Sequence, residues 1–291
     1  MRIATSQLFE RPASLMASLT QKADALQTRI STGKKLLAPS DDAGAYVQLR
    51  SLARADANGA SYAANVKLAQ GVLAQADGTL DGIGTQLQQA QELALQASNG
   101  TLSAANRVAI GATLGAVMDE LLALANTVDT RGQPLFGGAN GGPAYVEAPD
   151  GTVSFAGTGE ASPIPVGDHD SVVTTVRGDR LFGDMFATIK ALSDALSAGG
   201  TVPAGTLDKL GTATESVAAA RASVGARAVR VDMVAERLSD TQLIRNETRQ
   251  GIEAADITTT VTELQQTLTI LQATQASFTK LSSLSLFDYL R

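Results

Sequence analysis

Apolar residues recur in alternating steps of four and three along four separated stretches. That spacing leaves a chain few folds other than long packed helices. The longest seam runs through Tyr62, Val66, Ala69, Leu73, Ala76, Leu80, Ile83, Leu87, Ala90, Ala94 and Ala97. It predicts a helix from about residue 44 to about 98, ~80 Å long at ~1.5 Å per residue. Its glycines (Gly59, Gly71, Gly78, Gly82, Gly84) each cost roughly 1 kcal/mol against Ala, so the helix needs partners or breaks near Gly78–Gly84. A second seam uses Ile110, Leu114, Val117, Leu121, Leu124 and Val128. A third uses Leu207, Leu210, Thr214, Val217, Arg221, Val224, Ala228, Val231, Ala235 and Leu238, with Arg221 expected to snorkel toward an acidic partner. Aromatics are only 4% and Trp is absent, which favours slim Ala- and Leu-packed helices over a round core. The candidate intrasubunit core is Leu73, Leu80, Ile83, Leu87, Leu114, Leu121, Val224, Val231 and Leu238.

The fourth seam is C-terminal: Ile257, Val261, Leu264, Leu268, Leu271, Gln275 and Phe278. A weaker N-terminal counterpart has Leu8, Leu15, Leu19, Leu26 and Ile30, with Pro12 near its stripe. Such narrow stripes bury little alone, so these segments are expected to pack on each other or on neighbouring subunits. The last residues, from Leu281 to Arg291, stay apolar to the end of the chain, which points to a partner surface in an assembly or on a chaperone. The candidate assembly interface is therefore Leu15, Leu19, Leu26, Ile30, Ile257, Val261, Leu264, Leu268, Leu271, Phe278, Leu286 and Phe287.

Between the helical blocks lies a Gly- and Pro-rich stretch with short β-prone runs at 152–156, 163–166 and 171–176. Asp150-Gly151 is a hairpin signal, and a short helix follows from Phe182 to about Leu196. Gly33 ends the first helix, and Pro39-Ser40-Asp41-Asp42 supplies a stop and then caps. Gly100 suits a left-handed helix end, and Thr101 or Ser103 can cap the helix after it. The expected fold is mainly α: a long antiparallel helical bundle or coiled coil built from the N- and C-terminal halves, with a small β-rich insertion. The expected segments are 1–43 and 251–291 (terminal helices), 44–138 and 183–250 (the two halves of a long-helix domain) and 139–182 (the insertion).

Several chemistries are excluded or disfavoured. There is no cysteine, so disulfides and thiolate sites are out. A net charge of −6 offers no basic field for nucleic acid. No apolar run is expected to span a membrane, and the start, from Met1 to Gln7, has no apolar core of a cleavable signal. The single histidine, His169, sits between Asp168 and Asp170 and reads as a polar turn, because a metal needs three or four convergent ligands. The glycines from Gly137 to Gly142 lack the Lys-Ser/Thr ending of a phosphate loop and read as close backbone packing. Asp41 and Asp42 read as caps rather than paired acids, since adjacent helical residues do not face each other. No catalytic residue, cofactor or metal site is expected.

The stretch Leu26-Gln-Thr-Arg-Ile30-Ser-Thr-Gly33-Lys34-Lys35-Leu36-Leu37-Ala38-Pro39-Ser40-Asp41-Asp42-Ala43 resembles the N-terminal signature of the flagellin superfamily. So do Tyr62-Ala-Ala-Asn65, Leu124-Ala-Asn126-Thr-Val-Asp129, Leu135-Phe136-Gly137-Gly138, Val224-Gly225-Ala226-Arg227 and Asp256-Ile257. The two ends, Met1 to Phe9 and Leu284 to Leu290, look more like the superfamily's hook–filament junction branch than like filament flagellins. Ala43 departs from the pattern, where Pro is frequent. The resemblance implies a structural, non-enzymatic part of the bacterial flagellum, exported unfolded by a type III route. Its terminal helices would form an inner tube domain and its insertion would face solvent. The implied partners are copies of itself in a ring, an adjoining hook-associated protein, flagellin, and an export chaperone on the C-terminal helix. Flagellin itself and, more remotely, a cytoplasmic helical scaffold are the alternatives.

Overall fold

The computed structural model describes residues 2–289, with side chains over 10–280. The elements in chain order are α1 (Arg2–Thr32), α2 (Ala43–Ala97), α3 (Ala104–Ala125), β1 (Tyr145–Glu147), β2 (Val153–Phe155), β3 (Ile164–Pro165) and β4 (Ser171–Val172). They continue with α4 (Gly178–Phe182), α5 (Met185–Ser197), α6 (Thr206–Glu253) and α7 (Ile257–Tyr289). The chain forms two compact units, one of Met1–Ala57 with Gln242–Arg291 and one of Asn58–Thr241. The division falls inside α2 and α6, whereas the sequence placed its boundaries at the linkers near residues 43 and 250.

In the second unit α2 and α6 run antiparallel. Gln70 Nε2 donates to Asp232, Arg221 pairs with Asp77 and Asp81, and Gln91 donates to Thr214, so numbers fall on one helix as they rise on the other. The seam residues Leu73, Leu80, Ile83, Leu87, Leu114, Leu121, Val224 and Val231 are buried, and Leu238 packs half-buried against them. Leu207, which opens the third seam, is exposed. Helix α2 does not break at Gly78–Gly84. Leu80, Ile83 and Leu87 lie within that stretch or just beyond it, and their burial outweighs the weak helix propensity of glycine.

The turn from α2 into α3 departs from the expected left-handed glycine. Gly100 is not among the positive-φ glycines. Ser103 is the cap, its hydroxyl accepting from the Asn106 N–H at 3.2 Å. Helix α3 packs closely on α5 at Gly111, where a Cβ would meet the Ser197 backbone nitrogen at 2.7 Å. Contrary to expectation, α3 has the length and mean hydropathy (1.7) of a membrane span. In this fold its Ile110, Leu114, Val117 and Leu121 face the core instead.

The insertion consists of two small antiparallel hairpins, β1–β2 and β3–β4. The expected turn lies in the first, where Gly151 has φ +76° and Asp150 accepts from the Thr152 N–H. The segment expected to face solvent also has a buried side. Tyr145, Ile164, Val166, Val172, Leu181 and Phe182 are buried in the same core as the long helices. An aromatic-poor chain concentrates its rings here: Tyr145 meets Phe155, Phe182 and Phe186 at centroid distances of 4.9–5.7 Å. The glycines behave as expected for close packing. Gly138 has φ +70°, and a Cβ there would meet Gly159 O at 2.5 Å.

Candidate functional site

The apolar faces with assembly potential lie in the first unit. Helix α1 runs unbroken through Pro12, against the expectation that proline interrupts it. It packs along α7. The observed seam of α1 is Pro12, Met16, Leu19, Ala23, Leu26 and Ile30, all buried or half-buried. On α7 it is Thr260, Leu264, Thr267, Leu271 and Phe278, with Val261 half-buried beside it. One interface candidate drops out and another stays outward. Leu26 is only 3% exposed and is consumed within the subunit by the α1–α7 contact. Leu15, half exposed, lies off the seam, and Met16 takes its place.

Thr260 and Thr267 were missed because hydroxyls read as polar. Each donates to the carbonyl four residues earlier, Asp256 O at 2.6 Å and Glu263 O at 2.7 Å, so each can be buried without an unmet donor. Leu15, Ile257, Leu268 and Ile270 then remain outward on the pair, each more than two-fifths exposed. The side chains of Leu286 and Phe287 lie outside the described residues.

The linkers of this unit hold each other. Lys35 N–H donates to Glu253 O at 2.8 Å and Ala255 N–H to Gly33 O at 2.9 Å, around a Lys34–Glu253 ion pair of 2.8 Å. Gly33 supplies φ +68° for the exit from α1. Asp41 Oδ2 accepts from the Ala38 and Leu37 N–H groups, which hold its carboxyl below the ordinary range. Asp42 accepts from the Ala45 N–H at the start of α2. Asp256 does the same for α7: the Thr259 hydroxyl, then its N–H, depress the carboxyl. Arg249 pairs with Asp56 at 3.2 Å.

His169 is exposed, and the two aspartates beside it serve the fold. Asp168 accepts from the Tyr62 hydroxyl at 2.8 Å, and Asp170 pairs with Arg230 and Arg237. Arg221, on the third seam, reaches both Asp77 and Asp81. Among the described residues, no group of three or more His, Asp or Glu could hold a metal ion. A cleft of about 290 Å³ beside α4 and α5 is lined by Phe182, Met185, Asp208, Lys209, Thr212 and Ser216, and the last two donate their hydroxyls to the main-chain carbonyls of Asp208 and Thr212.

Comparison with known proteins gives one consistent result. The bacterial flagellin N-terminal helical region matches residues 9–141, and the bacterial flagellin C-terminal helical region matches residues 207–290. The flagellar hook-associated protein 3 of Escherichia coli strain K12 is 26% identical over 99% of both chains. The Salmonella typhimurium protein of that name is 33% identical over 47% of this chain and 44% of its own. Polar flagellin C of Vibrio parahaemolyticus is 32% identical over 43% of this chain and 33% of its own. Among solved structures, a flagellar hook-associated protein from Vibrio parahaemolyticus superposes with a TM-score of 0.65 at 17% identity, over 74% of this chain and all of that one. Xanthomonas campestris FlgL superposes with a TM-score of 0.62 at 18% identity, over 68% of this chain and 99% of that one. The two family regions bracket the insertion and together cover well over half of the sequence, so the chain belongs to the bacterial flagellin family, with the fold of its hook-associated members.

Proposed function

We propose that this chain is a structural subunit of the bacterial flagellum that joins hook to filament. The observation that carries this reading is the extent of likeness. The hook-associated relative from Escherichia coli aligns end to end, insertion included, whereas polar flagellin C aligns over less than half of the chain. The α1–α7 pair fits such a role, because it keeps an apolar row outward after its own seam is buried. The role is mechanical rather than catalytic, in keeping with the structural relatives and with the polar residues held in fold contacts. The partners we propose are further copies in a ring, an adjoining hook-associated protein, flagellin, and an export chaperone on the C-terminal helix. The proposed location is the extracellular hook–filament junction, reached through type III export without a cleaved signal. Leu15, Ile257 and Leu268 are the exposed members of the proposed assembly surface.

Deletion of the gene tests the assignment. A junction subunit leaves hooks intact and releases flagellin monomers into the medium. Absence of flagellin from both filament and medium would show instead that this chain is the filament subunit.

A further inference from the structure

Three Asn-Gly pairs occur in the sequence, at Asn58-Gly59, Asn99-Gly100 and Asn140-Gly141, and the fold treats them differently. Asn58 and Gly59 lie inside α2, where the Gly59 N–H belongs to the helix ladder. Asn140 is half-buried; its Nδ2 donates to Ala156 O at 3.2 Å and its Oδ1 accepts from the Gly142 N–H at 3.3 Å. Asn99 is exposed on the turn between α2 and α3. Its Oδ1 accepts two hydrogen bonds, from the Thr101 N–H at 3.1 Å and the Thr101 hydroxyl at 2.8 Å. Among the described residues the Gly100 N–H has no hydrogen-bond partner.

We propose that Asn99 is a self-modification site at which the chain loses ammonia and gains a negative charge. The Gly100 backbone nitrogen, giving its proton to solvent base, attacks Cγ of Asn99 and a C–N bond forms. The electron pair moves onto Oδ1, where the two Thr101 donors stabilise it as an oxyanion site does. The Cγ–Nδ2 bond then breaks, and the nitrogen leaves as ammonia after taking a proton from water. The resulting succinimide is opened by water at either carbonyl, giving aspartate or isoaspartate at position 99. The closing of the side-chain carbonyl around the Gly100 peptide, in a turn where Leu102 N–H also returns to Asn99 O, holds the reacting groups together. The fold does not need glycine at position 100: φ there is not positive, and an added Cβ would meet nothing within 4 Å. Gly100 therefore serves reactivity rather than backbone shape. The new charge arises four residues before the Ser103 cap, on an exposed corner of the second unit.

Peptide mapping of the purified full chain, aged at mildly alkaline pH, tests this. The peptide carrying Asn99 is expected to gain one mass unit roughly tenfold faster than that carrying Asn58, the ratio that sparing one ladder hydrogen bond supplies. Asn140 should fall between them, and in urea the three rates should converge, because the fold sets the order. Gly100→Ala should block the reaction at Asn99 with unchanged thermal melting, and Thr101→Val should slow it. Slower reaction at Asn99 than at Asn58 or Asn140 in the native protein would overturn the proposal. Faster reaction in Thr101→Val would equally do so, by showing that the hydroxyl's hydrogen bond protects the amide.

Discussion

Leu80 shows how much a single seam residue carries. It is 1% exposed in the middle of α2. Leu80→Ala is expected to lower stability by about 2–5 kcal/mol through lost transfer energy and the cavity left behind. Leu80→Asp should cost more, since its carboxylate would be buried without a partner. The next residue makes an instructive control. Asp81 is exposed but shares Arg221 with Asp77, so Asp81→Ala should cost under about 1 kcal/mol, the worth of a surface ion pair with a second carboxylate still in place. Chemical denaturation of the three variants checks the order. Asp129 differs because it is buried. Burial would raise its carboxyl, but the Arg131 side chain and the Gln133 and Arg131 N–H groups outweigh burial and hold it below 3.8. A depressed carboxyl stabilises the fold fully above its ordinary value, and that stability is lost as pH falls through the lower folded-state value. Asp129→Asn should cost about 1.5–3 kcal/mol at neutral pH, the range for hydrogen bonds to a charged group. The difference in melting temperature from the parent chain should shrink as the pH is taken below 3.8.

At the scale of elements, the heptad period was legible but its phase at the termini was not. Period survives because Leu, Ile and Val mark every turn. Phase was misread where small or hydroxylated residues hold the contact: Ala23, Thr260 and Thr267 lie at the α1–α7 interface, while the bulkier Leu15 and Leu268 point outward. A threonine that bonds its own helix buries as a small apolar residue, and no composition rule separates it from a solvated one. The long helices were easier to read, since their seams carry Leu, Ile or Val on α2, α3 and α6. The terminal pair should also be the weaker contact. Only Ala23, Leu26, Thr260 and Thr267 are fully buried among its described side chains, so it opens at a lower free energy than the second unit. Hydrogen exchange should therefore appear in α1 and α7 before the 66–97 stretch of α2. Leu26→Asp should accelerate exchange in both helices and leave the second unit's protection unchanged. Protection in α1 and α7 equal to that of the core would show a tighter contact than the buried side chains account for.

The whole molecule is organised by how the insertion joins the core, and this was the least legible feature of the sequence. Short runs with Gly and Pro read as a small insertion set apart from the helices and turned to solvent. In the structure the segment is strapped down from two sides. Asn65 Nδ2 donates to Pro165 O at 2.7 Å from α2, and Arg227 donates to Val173 O and Thr175 O at 3.0 Å from α6. Arg230 adds an ion pair with Asp170 at 2.6 Å. Beneath these straps Tyr145, Ile164, Val166, Val172 and Phe182 fill the core. Burial of each such side chain is worth about 1.5–3 kcal/mol. Removing all five therefore forfeits as much as the ~5–15 kcal/mol by which a whole domain is stable. A chain in which Gly138 is joined to Gly183 by a short linker should accordingly lose the cooperative melting of its helices, followed by circular dichroism. Arg227→Ala tests the straps alone. It leaves the apolar contacts in place and frees two carbonyls that solvent can reach, so cooperative melting should persist at a moderately lower temperature. Parent-like melting of the shortened chain would mean that the hairpins merely cover a core already complete without them. The ring contacts of Tyr145 with Phe182 and Phe186 argue against that outcome, because deletion strips Phe186 of both neighbours and leaves it facing water.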